Sequence, residues 1–275
     1  MKINAIIPTY NEEDIIYHTI KYLVDQDIFV YILDNQSTDR TVDIARKMPN
    51  VQLKTFKSNG LFDEKILQDN VRELTCSLDT DWIIKNDADE FIESPWKGIN
   101  LRQAIEVVDK LGKSCMGVTS YVFYPMSNEK PHESRKDVRD YYDYYKIWDK
   151  IDRWTPGIHE REKELWKINI FKKQQEVYMA DPHILHAPYE ISQYLFPELL
   201  ILRHYPFRNP QRTYQRLIRD RKNRLSRYNL ENNVSNHYLK YGPDSEFVQT
   251  SFTFDRIKSG CFRWSELQKK PFPFS

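Results

Sequence analysis

Glycine is scarce in this chain, with seven in 275 residues. Main-chain cradles for phosphate depend on glycine, because the backbone must approach the anion closely and adopt conformations that a Cβ forbids. No Gly-x-Gly occurs anywhere, which excludes a dinucleotide-binding loop of the Rossmann kind. The nearest approach to a P-loop, Gly112 to Thr119, lacks the lysine after its second glycine. Any phosphate bound here is therefore expected to be held by a metal ion or by side chains. Cysteine is equally sparse: Cys76, Cys115 and Cys261 are scattered, form no Cys-x-x-Cys, and argue against a cysteine zinc site or a disulfide-stapled fold. They read as small buried apolar residues in a reducing compartment. No apolar run approaches the ~18 residues of a membrane span, and the N-terminal run is too short for a signal peptide. Charge of one sign is lacking too, since 41 basic residues meet 40 acidic ones, so bulk electrostatics do not point to nucleic acid.

Forty per cent apolar and 14% aromatic residues are enough for a sizeable core. The first half alternates strand-like and helix-like segments. Ile3 to Ile7, Phe29 to Leu33, Val51 to Phe56 and Trp82 to Ile84 read as strands. Between them, Asn11 to Asp14 reads as a helix start with acid in its first turn, followed by Ile15, Ile16, Ile20 and Leu23 at helical spacing. Ser37 to Asp39 offer caps for a second helix that ends before Pro49, and a third runs from about Phe62 to Leu78. Leu101 to Leu111 reads as a helix and Met116 to Tyr124 as a strand. Repeated β-α-β units imply parallel strands covered by helices, a class that binds ligands at the carboxyl ends of its strands. Three polar clusters fall at those ends: Thr9 to Glu13, Asp34 to Asp39 and Asn86 to Glu90.

Beyond Tyr124 the pattern degrades into a polar, aromatic stretch from Ser127 to Trp166. Arg203 to Arg227 then holds nine Arg or Lys against the single acid Asp220, partly at helical spacing through Arg212, Arg216 and Arg219. Lys269 to Ser275, with two prolines, reads as an extended tail. The expected organisation is a nucleotide-sugar-binding half over 1–125 and an acceptor-side half with a basic, aromatic extension over 126–275.

Asp87 and Asp89, two residues apart in the turn after a buried strand, can present oxygens to one hard cation such as Mg²⁺ or Mn²⁺, while the small Ala88 leaves room for a ligand. Such a cation would neutralise a departing diphosphate where no glycine cradle exists. A solvated acidic turn is the bland alternative.

Three ordered segments decide between them. Ile6-Ile7-Pro8-Thr9-Tyr10-Asn11-Glu12-Glu13, Leu33-Asp34-Asn35-Gln36-Ser37-Thr38-Asp39-Arg40-Thr41 and Asn86-Asp87-Ala88-Asp89-Glu90-Phe91 resemble glycosyltransferase family 2 with the GT-A fold. The resemblance covers roughly the first 125 residues, and its Asp-Glu-Phe ending departs from the more usual Asp-Asp. It implies an α/β fold with a mostly parallel sheet flanked by helices and a C-terminal helical extension. It further implies that the Pro8-Thr9-Tyr10 turn and Glu12 or Glu13 frame the nucleotide. Asp34 would recognise the base, Asp87 would face the ribose or the metal, and Asp89 would ligate the metal. From the residues alone, Asp39 reads as a helix cap, and Tyr10 is open to core packing or to stacking on the base.

The second half resembles the same branch through Gly157-Ile158-His159-Glu160 and Leu202-Arg203-His204-Tyr205-Pro206. The first makes Glu160 the candidate base for an acceptor hydroxyl, with Asp152 and Asp181 in reserve; a surface pair or loop anchor is the other reading of His159 and Glu160. The His159–Lys163 segment fails as a zinc-protease helix for want of its second histidine. His204 is the candidate third metal ligand or a diphosphate contact, and His183 with His186 lacks a third partner. Arg208, Arg212 and Arg216 can clamp donor phosphates, meet anionic lipid or form a solvated face.

The expected activity is transfer of a sugar from a nucleotide diphospho-sugar to a hydroxyl acceptor, a surface or lipid-linked glycan. The resemblance implies inversion and a divalent cation, Mn²⁺ or Mg²⁺. The expected location is the cytoplasm or the cytoplasmic face of a membrane, with no nucleic-acid partner. The rivals are a nucleotidyltransferase of related fold, whose glycine-rich basic loop is missing, and a non-catalytic nucleotide- or glycan-binding relative.

Overall fold

The computed structural model describes residues 1–126, 129–130, 132–133, 136–148, 167–174, 177–179, 185–186, 193–242 and 261–273. Strands β1 (Ile3–Thr9), β2 (Phe29–Asp34), β3 (Val51–Thr55) and β4 (Trp82–Lys85) lie in the order β3-β2-β1-β4, all parallel. Helices α1 (Ile16–Val24), α2 (Thr41–Arg46) and α3 (Glu64–Ser77) connect them. β1 and β4 are buried along almost their whole length, as central strands covered on both faces must be.

Side chains alternate across the sheet and build a three-layer core. Ala5 and Ile7 of β1 pack with Ile16, Ile20 and Leu23 of α1 and with Ala104, Ile105 and Val108 of α4 (Leu101–Lys110). On the other face Ile6 and Ile83 pack with Leu74 of α3, and Leu33 with Val71. Asp63 caps α3 by accepting from the Ile66 amide at 3.0 Å, and Asn100 and Gln103 form a reciprocal capping box on α4.

Beyond β4 the sheet continues with mixed polarity. It takes in β5 (Glu90–Glu93), β6 (Cys115–Phe123), β7 (Tyr144–Trp148), β8 (Ile168–Lys172), β11 (Leu200–His204) and β12 (Phe262–Arg263), while β9 (Tyr178–Met179) and β10 (Leu185–His186) pair separately. β8 runs antiparallel between β4 and β6; β11 is parallel to β6 and antiparallel to β5. The C-terminal helices are α5 (Pro210–Tyr214), which continues into a π-helical stretch over Gln215–Arg221, and α6 (Arg227–Glu231). The fold is thus α/β of the GT-A kind, with the helical extension expected from the sequence.

One local reading is corrected. Asn11 to Asp14 do not form the first turn of α1: Asn11 is left-handed (φ 54°) and the helix begins at Ile16. The Asn11 side-chain oxygen accepts from the Thr38 and Asp39 amides at 2.8 and 3.3 Å, and the Glu12 amide donates to Thr41 Oγ1 at 2.7 Å. The turn after β1 is tied to the turn after β2, which frees its carboxylates for other partners. The tail carries no helix over its described part and is held in place, since the Lys97 amide donates to the Lys270 carbonyl, the Lys270 amide to the Pro95 carbonyl, and Phe272 packs edge-on against Trp96.

Candidate active site

The carboxyl ends of β1, β2 and β4 converge on one polar site. Thr9 and Asp34 face each other in register, the Thr9 hydroxyl 3.4 Å from Asp34 Oδ1, while the Ser37 amide donates to Asp34 Oδ2 at 3.0 Å. Asp34 is only 1% exposed, so its carboxylate is fixed before any ligand arrives. Pro8 and Tyr10 are half-buried beside it. The Arg224 guanidinium lies 3.4 Å from the Tyr10 ring centroid, so one face of that ring is already covered by a cation. Glu13 turns outward to pair with Arg40 at 3.0 Å, whereas Glu12 is buried.

The acidic turn after β4 is held from all sides. Thr19 of α1 donates its hydroxyl to the Ala88 carbonyl, the Tyr205 amide donates to the Asp89 carbonyl at 2.9 Å, and the Asn86 side chain donates to the Asp87 and Glu90 carbonyls. Asp87 and Asp89 face different partners. Asp87 Oδ1 lies 2.5 Å from Lys85 Nζ and its Oδ2 lies 3.8 Å from Lys167 Nζ, which also reaches Glu90 Oε1 at 2.5 Å. Asp89 Oδ2 lies 2.8 Å from Arg216 Nη2, 3.5 Å from His204 Nε2 and 3.6 Å from Arg208 Nη1. Burial works against ionising both carboxyls, but Lys85 and Lys167 hold Asp87 below the usual carboxylate range, and Arg216, His204 and Arg208 hold Asp89 well below it.

His204 reaches Asp89 through sheet register: it ends β11, opposite Glu90 of β5 and beside Val122 of β6. The three expected metal ligands do not gather equally. Asp89 and His204 come together, Asp87 turns to its lysines, and among the described residues no three His, Cys, Asp or Glu side chains are grouped to hold a metal by themselves. A cation nevertheless fits the pair. Asp89 Oδ2 is buried and accepts no well-formed hydrogen bond, and two donor atoms bound to one ion at about 2.0–2.2 Å each stand roughly 3 Å apart.

Arg208 is placed differently from the phosphate contact expected of it. Its side chain is fully enclosed: Nε donates to Asp14 Oδ2 and Nη2 to Glu12 Oε2, both at 2.6 Å, and Nη1 donates to the Tyr205 carbonyl. It is the counter-charge of the turn after β1. Arg212 joins it, with Nε 2.9 Å from Asp14 Oδ1 and Nη2 3.4 Å from Glu12 Oε2. Burial disfavours a charged Asp14, yet Arg208 and Arg212 keep its carboxyl below the ordinary value.

Sequence reasoning missed Lys85, Lys167, Asp14 and Glu64. Lys85 had a signal, a charged residue ending an otherwise apolar strand directly before the acidic cluster, and Asp14 belonged to the acidic run read as a helix start. Lys167 lies in a stretch without periodicity and had none. Glu64 is buried on α3 with Gln68 donating to it at 3.0 Å, and its carboxyl is raised by that burial. Glu160, Asp152, Asp181, His159 and His183 lie outside the described residues, as does the side chain of His186.

Parallel strands whose carboxyl ends gather a buried aspartate, an acidic triplet and a late histidine define the site of a GT-A glycosyltransferase domain. The chain belongs to glycosyl transferase family 2, which it matches over residues 5–176. No curated protein sequence matches it significantly. Among solved structures it is similar to glucosyl-3-phosphoglycerate synthase from Mycobacterium tuberculosis, in complex with Mn²⁺, UDP-glucose and phosphoglyceric acid, at 18% identity and a TM-score of 0.29, over 44% of each chain. It is also similar to a putative glucose-1-phosphate thymidylyltransferase from Bacillus anthracis, at 12% identity and a TM-score of 0.31, over 62% of this chain and 70% of that one. A galactosyltransferase bound to donor and acceptor sugar analogues matches at 9% identity and a TM-score of 0.28, over 44% and 47%. The synthase match thus spans less than half of that protein's length, and at these scores none of the three likenesses carries a functional argument.

Proposed function

We propose that this protein transfers a sugar from a nucleotide diphospho-sugar to a hydroxyl group of a surface or lipid-linked glycan, with inversion at the anomeric carbon. The observation that carries this reading is the alignment of Asp34, at the end of β2, with the ionised Asp87 and Asp89 at the end of β4, in a member of glycosyl transferase family 2. Asp34, preset by Thr9 and the Ser37 amide, accepts from a ring nitrogen of the base. Tyr10 offers the base an apolar edge, and Asp87 faces the ribose.

Asp89 and His204 would hold a Mn²⁺ or Mg²⁺ ion, with donor phosphate oxygens and water completing its shell, as is usual for cations of this kind. When bound, that ion supplies positive charge to the departing diphosphate. Glu12 and Asp14, paired with Arg208 and Arg212, tie the turn after β1 to the segment that follows β11. Glu160 is the proposed base that takes the acceptor proton as the hydroxyl oxygen attacks in line with the departing phosphate oxygen.

Thermal shift and calorimetry with uridine, guanosine, cytidine, thymidine and adenosine diphosphates and their sugars, with and without Mn²⁺, test this reading. The expected result is stabilisation by one nucleotide family, enhanced by Mn²⁺ and losing that enhancement in Asp89→Ala. Stabilisation by no nucleotide, or an undiminished Mn²⁺ effect in the variant, would sink it.

A further inference from the structure

Asp89 is already paired. Arg216 Nη2 lies 2.8 Å from Asp89 Oδ2, nearer than His204 or Arg208, and it approaches the same oxygen that a metal would need. A guanidinium and a divalent cation carry like charge, and neither is screened by solvent around a carboxylate that is 2% exposed. They cannot both sit against one buried oxygen unless a further anion joins them. We propose that Arg216 is the resident counter-ion of Asp89, which a divalent cation must displace, so that this side chain sets the threshold for metal binding. The inference rests on the metal site proposed above.

Three observations make Arg216, rather than Arg208, the group that moves. Arg208 is anchored by hydrogen bonds to Asp14, Glu12 and the Tyr205 carbonyl, whereas Arg216 Nε is buried without a hydrogen-bond partner and stands 3.6 Å from Glu12 Oε1. The contact with Asp89 is its one short ion pair among the described residues. The backbone differs too: Arg212, which bonds Asp14, lies in the α-helical turn of α5, but Arg216 sits at the start of the π-helical stretch Gln215–Arg221. A π-helical turn is the less favourable local arrangement and recurs where function requires a residue to be re-aimed. The displaced guanidinium is suited to a diphosphate oxygen, which it can meet with a forked pair of N–H donors. Metal and diphosphate then favour each other's binding through one side chain, a coupling that is reciprocal.

The test measures Mn²⁺ alone, without nucleotide, by electron paramagnetic resonance of the free ion in the full chain and in Arg216→Met and Arg216→Lys. Methionine keeps an apolar stem in place, and Arg208 and His204 still face Asp89; lysine keeps a charge without the fork, which covers the case in which the apolar variant does not fold. The expected result is at least about tenfold tighter Mn²⁺ binding in Arg216→Met, and a smaller tightening in Arg216→Lys, with circular dichroism confirming folded variants. Equal or weaker Mn²⁺ binding in the folded variants overturns the role of Arg216 while leaving the metal site standing. Absence of Mn²⁺ binding in the native chain and in both variants overturns the metal site and the inference together.

Discussion

Arg208 Nη2 stands 2.6 Å from Glu12 Oε2 across 196 residues of sequence, with neither side chain open to solvent. The turn that follows the first strand is therefore completed by the segment that follows the eleventh. Arg208→Met leaves Glu12 and Asp14 short of their main counter-charge. Removing one partner of a buried ion pair costs about 3–5 kcal/mol, and the expected loss in urea unfolding is of that size. Adding Glu12→Gln and Asp14→Asn to the same chain should restore a large part of it, because the unpaired charges go. A loss below about 1 kcal/mol in the single variant would show that the network is not holding the fold.

Glu64 gives the protein a pH dependence of the opposite sign to a paired carboxylate. Burial raises its folded-state pKa above the ordinary 4.5, so the folded state holds the proton more tightly than the unfolded chain does. The penalty is absent below the unfolded pKa, grows as pH rises through the window between the two values, and is fully present above the folded one. Glu64→Gln should raise the melting temperature at neutral pH and leave it unchanged near pH 4. Equal melting shifts at both pH values would remove the buried charge as the cause.

Asp34→Asn keeps the size of the side chain and removes its charge. Hydrogen bonds to charged groups are worth about 1.5–3 kcal/mol, so calorimetry should find nucleotide affinity reduced roughly ten- to a hundredfold. Mn²⁺ binding measured without nucleotide should stay as it was, because Asp34 belongs to a different strand end. Unchanged nucleotide affinity would assign Asp34 to the turn alone.

Glu160→Gln should lower turnover by about 10² to 10⁴ while nucleotide binding persists, the signature of a lost general base. Rates are to be compared with donor saturating and acceptor varied. A variant that keeps its turnover would return Glu160 to a loop-anchoring role.

The parallel half was legible because each buried strand announces itself as an apolar run ending in a polar cluster, as Ile3 to Ile7 does before Thr9. The mixed half was not. β7, Tyr144–Trp148, reads Tyr-Tyr-Lys-Ile-Trp with no period-two alternation and lies inside a polar, aromatic stretch, and β5 is a short run between two glutamates. Those strands owe their place to pairing with β6 and β11, which no local pattern records. The same division holds in the site. Asp34, Asp87 and Asp89 were readable from position, since a strand end is a local property. Lys85, two residues from Asp87, left a local signal, but Lys167 and Arg216 did not, because they reach the aspartates from distant parts of the chain.

The pairing of the first turn with a segment two hundred positions later also orders events during synthesis. At ribosomal rates of about 5–20 residues per second, Glu12 and Asp14 emerge on the order of ten seconds or more before Arg208. During that interval the nascent N-terminal half carries its acidic strand ends without the arginines that neutralise them. Any metal or nucleotide met then would encounter a different electrostatic surface from that of the finished protein. The polar site at the strand ends is thus completed last, by the final third of the polypeptide, although the carboxylates of its first turn are among the first residues to be translated.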